Sequence, residues 1–112
     1  MKNELKDGVL VISLEGNLLG ENTNGPVMDL IKQNIEAGTK KVLFNLADMK
    51  FINSTGLGML MTALSKTRNA GGELALCGLP EQMRKLLQMT KLETLFPVYG
   101  DEAAAITFLK SN

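Results

Sequence analysis

The sequence predicts an α/β fold, a mixed and mostly parallel β-sheet with an antiparallel N-terminal edge strand and about four helices. Three observations predict it. Asp7-Gly8 is a two-residue hairpin signal between strand-length runs at Lys2–Lys6 and Val9–Leu14. Downstream, apolar runs of strand length alternate with stretches whose apolar residues recur at helical spacing. Lys41–Leu46 carries the continuous apolar run Val42-Leu43-Phe44, the pattern of a strand covered on both faces. A hairpin followed by β-α alternation makes a mostly parallel sheet with one antiparallel edge.

Each element has its own signal. Lys2–Lys6 is short and suits an edge strand, and Val9–Leu14, "VLVISL", is its hairpin partner. The glycine-containing stretch "EGNLLGENTNG" is a loop. Pro26 suits a first helical turn, and Val27, Leu30, Ile31 and Ile35 then share one helix face, which Gly38 ends. After the strand Lys41–Leu46, "ADMKFIN" is expected to be a loop. A second helix follows, with Leu57, Leu60, Met61 and Leu64 facing the core and Thr55, Met59, Thr62 and Lys66 on the other side. Glu73–Cys77 is a strand. Gly78 and Pro80 open a third helix with Met83, Leu86, Leu87 and Thr90 on one face. Phe96–Tyr99 is a short last strand, and Asp101 caps a terminal helix that turns Ala105, Ile106 and Leu109 inward.

The chain has 112 residues, which suits one domain over 1–112. Hydrophobic residues make up 45%, which excludes a disordered chain. Twelve basic and twelve acidic residues cancel, so the basic excess of a nucleic-acid binder is missing. With no Trp and a single Tyr, a base-stacking platform is not expected either. Cys77 is the only cysteine, so no intrachain disulfide forms, and the run "LALC" makes it a small buried hydrophobe. The absence of His excludes Ser-His and Cys-His catalysis and His-ligated metal sites within this chain. "MKNELKDGV" has no apolar signal core, and no run approaches the ~18 apolar residues that span a bilayer. These features suit a soluble cytoplasmic protein with no membrane insertion, no metal and no cofactor.

Phosphate-loop chemistry fits poorly. No G-x-x-x-x-G-K-[S/T] string is present, and "GLGML" lacks the third glycine of a dinucleotide fingerprint. The nucleophile elbow G-x-S-x-G is also missing. Lys50 and Lys66 lie near the serines in sequence, but solvated surface lysine is their plainer reading. The stretch that stands out is "FINSTGLGML", residues 51–60. Asn53 or Ser54 suits an N-cap, and Gly56 and Gly58 let a helix start close to neighbouring backbone. The hydroxyls of Ser54 and Thr55 follow a buried parallel strand, at the carboxyl edge where open α/β sheets expose their sites. A helix N-terminus also favours a phosphate carrying roughly −1.5 to −2 charges. Cap and phosphorylation site are therefore compatible readings of one position.

The segments "VLVISLEGNL", "KVLFNLADMKFINSTGLGML" and "GGELALCGLPEQMRKLLQMTKLETLFPVY" resemble STAS domains of the bacterial anti-sigma-factor antagonist kind, over nearly the whole chain. The most specific part is Phe51–Gly58, an aromatic residue, one unspecified residue, then Asn, two hydroxyl residues and Gly-Leu-Gly. The resemblance implies a non-catalytic regulator of transcription that works by partner switching. The unphosphorylated form binds an anti-sigma factor serine kinase and releases the sigma factor. Phosphorylation of Ser54 or Thr55 breaks that complex, and a cognate phosphatase restores it. The implied partner surface comprises Leu18, Leu19, Gly20, Asn22, Asn53, Gly56, Met59 and Thr62. Switching members usually carry Asp where this chain has Asn53, and an acidic residue where it has Leu19. The alternative is a non-switching STAS subunit or docking module of a larger complex, such as a lipid-transport ATPase complex or a stressosome-like assembly.

Overall fold

The computed structural model describes residues 2–18 and 24–111. Its elements run β1 (Lys2–Lys6), β2 (Val9–Leu18), α1 (Asn24–Glu36), β3 (Lys41–Ile52), α2 (Ser54–Asn69), β4 (Glu73–Cys77), α3 (Glu81–Met89), a 3₁₀ turn at Leu92–Thr94, β5 (Val98–Tyr99) and α4 (Glu102–Lys110). The five strands form one sheet in the order β1-β2-β3-β4-β5. β1 and β2 are antiparallel, and the remaining neighbours are parallel. Asp7 and Gly8 both take positive φ, 53° and 80°, as a two-residue hairpin turn matched to strand twist requires.

The strands add in chain order, so each crossover steps the same way across the sheet. Crossovers of one hand then deliver α1, α2 and α3 to a single face. On that face Leu10, Ile12, Val42, Phe44, Leu74 and Leu76 meet Val27 and Ile31 of α1, Leu60 and Leu64 of α2, and Met83 and Leu87 of α3. The alternate strand residues Val9, Val11, Leu43, Ala75 and Cys77 point the other way, and α4 covers them with Ala105 and Leu109. Over Val42–Phe44, β3 is thus buried on both faces, as its continuous apolar run requires. Lys6 at the end of the hairpin pairs with Glu102 at 2.6 Å, tying β1 to the start of α4.

Three sequence expectations change. β2 and β3 are longer than their apolar runs. β2 continues to Leu18 and β3 to Ile52, because the two pair with each other beyond Ser13 and Asn45 through a ladder with two register shifts. "ADMKFI" is therefore strand and not loop. In α2, Met59 is 1% exposed and packs in the core, whereas Met61 is 37% exposed. The expected positions of the two methionines are reversed. Helix α2 packs on β3 and β4 and also against α1, so its buried arc is wide and runs through Gly56, Met59, Ala63 and Thr67 as well as the leucines. Finally, Gly58 has open space where a side chain would stand, so it answers no close backbone approach.

Candidate functional site

The end of β3 delivers Asn53 to the carboxyl edge of the sheet. Asn53 has extended backbone, with φ −104° and ψ −179°, and its carbonyl accepts the first helical bond from Leu57 N–H at 2.9 Å. Its side-chain Oδ1 accepts a second bond, from Gly56 N–H at 2.8 Å. Asn53 is therefore the N-cap, and Ser54 and Thr55 are the first two residues of α2. Both are exposed. Their N–H groups precede the first turn's internal bonds and face solvent with the positive end of the helix dipole.

Charge is distributed to leave that end unfilled. The first turn of α2 holds no acidic residue, while Lys66 and Arg68 stand in its last turn. By contrast α3 and α4 carry Glu81 and Glu102 in their first turns. The positive end of α2 is met by a neutral amide cap and two hydroxyls. An anion attached to either hydroxyl gains from the dipole and from the free N–H groups, and displaces no cap.

The other expected site residues fall in different places. Leu18 ends β2, beside Ile52 in the ladder, which brings the β2 end to the α2 N-terminus. Leu19, Gly20 and Asn22 lie outside the described residues. Thr62 is exposed two turns along α2, its Oγ1 donating to Gly58 O at 3.0 Å. Gly56 is buried and is spent on the cap, and Met59 is core, so neither offers side-chain surface to a partner. Met61 replaces Met59 as the exposed methionine of this helix. Phe51, at 53% exposure, is an apolar surface residue missed as such, because a strand was not expected there.

Other chemistry is sparse. Among the described residues no group of three His, Cys, Asp or Glu stands close enough to hold a metal ion. Burial, then the nearby Glu102 and Asp101 charges, push the Cys77 thiol up to about 11, so it stays protonated and unreactive at neutral pH. Among the described residues no helix is long and apolar enough to cross a membrane.

The described residues thus form a five-stranded mixed sheet with two exposed hydroxyls on a helix N-terminus that Asn53 caps. The STAS domain family model matches residues 1–105, and the chain belongs to that family. Among its relatives is the anti-sigma F factor antagonist of Paenibacillus polymyxa, 27% identical over 103 residues, covering 92% of this chain and 88% of the relative. Thermotoga maritima TM1081 has the same fold, with a TM-score of 0.86 at 22% identity over 97% of this chain and 93% of that one. The Bacillus cell fate determinant SpoIIAA, solved in its phosphorylated form, superposes with a TM-score of 0.74 at 21% identity. That match covers 96% of this chain and 97% of SpoIIAA.

Proposed function

We propose that this protein is an anti-sigma-factor antagonist that works by partner switching in the cytoplasm, as a single domain without catalytic activity. Its unphosphorylated form binds an anti-sigma factor serine kinase, which then releases its sigma factor. The kinase transfers the γ-phosphoryl group of ATP to the Oγ of Ser54 or Oγ1 of Thr55; the bond to the β,γ-bridging oxygen breaks, ADP departs, and the hydroxyl proton leaves to a base of the kinase. The phosphorylated surface repels the kinase, and a phosphatase resets the cycle by hydrolysis. The observation that carries this reading is the pair of exposed hydroxyls on a helix N-terminus whose capping bond is already made by Asn53. A phosphate there changes surface charge by roughly −1.5 to −2 while the fold stands. The similarity to the anti-sigma F factor antagonist of Paenibacillus polymyxa supports the same reading.

Incubation with the serine-kinase anti-sigma factors of the same genome and Mg-ATP, followed by mass spectrometry, tests it. Phosphate is expected on Ser54 or Thr55 with at least one of them. If none is modified by any, the switch is wrong. The neutral Asn53 cap favours one second reading, a constitutive docking module of a larger assembly. In that case the same kinases leave the chain unmodified, while a stable complex survives Ser54→Ala and Thr55→Ala.

A further inference from the structure

Strand β3 outruns one of its two neighbours. β4 pairs with it only over Lys41–Asn45, whereas β2 follows it to Ile52. From Asp48 to Ile52 the edge of β3 that faces away from β2 has no strand beside it. Among the described residues no backbone–backbone hydrogen bond outside the β2 ladder engages this stretch. Half of the N–H and C=O groups in such a stretch point to the open edge. Helix α3 runs past it, after the turn at Gly78, and leaves a groove of about 210 Å³. Met49, Lys50, Phe51 and Ile52 form one wall, and Met83 and Leu86 stand on the other. Neighbouring strand residues point to opposite faces, so four in a row along one groove show it a strand edge.

We propose that this groove binds an extended segment of a partner protein, which adds to the free edge of β3 as a short strand. The segment seats apolar side chains against Phe51, Met83 and Leu86, and sets an acidic side chain against Lys50. An open backbone edge beside a helix is completed by a strand. The volume lies below the roughly 300–1,000 Å³ of a small-molecule site, and suits individual side chains. Lys50 is exposed and is the only charged residue lining the groove among the described residues, so its complement is an acidic residue. A second copy pairing through this same edge instead brings two Lys50 side chains into one short ladder, which like charges oppose.

A phage-displayed library of short random peptides, panned against the full chain, tests the proposal. Selected peptides are expected to alternate apolar residues around an Asp or Glu. Binding is expected to slow hydrogen exchange of amides within residues 48–52. N-methylation of alternate peptide amides is expected to weaken binding about tenfold or more, corresponding to ~1.4 kcal/mol. Phe51→Lys and Lys50→Glu are expected to weaken it similarly. Both residues are exposed, so both variants keep the circular-dichroism spectrum. The Ser54→Ala/Thr55→Ala variant keeps peptide affinity, which separates this groove from the phosphorylation switch. The proposal is overturned if no peptide is enriched, if exchange slows elsewhere only, or if N-methylation of every amide is tolerated. Equal affinity for acidic peptides in wild type and Lys50→Glu overturns the charge pairing.

Discussion

Asn53 does the work of a charged cap without the charge. Its amide oxygen takes the Gly56 N–H at 2.8 Å. Asn53→Ala is expected to cost about 1 kcal/mol in urea unfolding, the usual worth of a side-chain N-cap. Asn53→Asp is expected to keep the cap, and with it the stability. Along the same helix, Met59→Ala is expected to cost ~2–5 kcal/mol, because it empties a core site that is 1% exposed. Met61→Ala is expected to stay within ~0.5 kcal/mol. Equal costs for the two methionines would show that the buried arc of α2 is placed wrongly.

At the scale of elements, type and order were legible in the sequence, and limits set by distant partners were not. β1, β4 and the caps of α2 and α4 follow from local chemistry, and Asp101 accepts from Ala104 N–H at 2.8 Å as its position predicts. The extra length of β3 comes from pairing with β2, whose end lies far away in sequence, and "ADMK" carries no apolar run to announce it. The α2 face misled for a different reason. Gly56, Ala63 and Thr67 fill its close contacts but carry little hydrophobic weight, so Met61 drew the predicted stripe toward solvent. Of the candidate site, the hydroxyl pair and its cap were legible as a local motif. The groove beside β3 was not, since it exists only because β4 is shorter than β3. The open dipole of α2 gives an element-scale prediction. Ser54→Asp or Thr55→Asp is expected to leave the circular-dichroism spectrum unchanged and to raise stability by ~0.3–1 kcal/mol at low salt. A loss of helix instead marks the hydroxyl as structural.

The whole molecule is expected to lose stability at alkaline pH through two groups on the α4 side of the sheet. Cys77 ionises at about 11 when folded, against an ordinary value of 9.0, because it is buried. Between these values the unfolded chain gives up a proton that the folded chain keeps, so stability falls as pH rises. Lys6 acts in the same direction. Its hydrogen bond to Glu102, and then that to Glu4, raise its pKa above 10.5. The stabilisation is present below 10.5 and disappears as pH passes the raised value. The thermal midpoint is expected to drop between pH 9 and 11, with a shallower slope in Cys77→Ala. An identical slope in that variant assigns the effect elsewhere.

The strand order also orders events during synthesis. Each strand pairs with one already made, so the sheet and its three-helix layer can assemble progressively as the chain leaves the ribosome. The opposite face stays uncovered until α4 has emerged, since Val9, Val11 and Leu43 are made long before Ala105 and Leu109. At ~5–20 residues per second, that greasy sheet face spends several seconds open to chaperones and to other nascent chains.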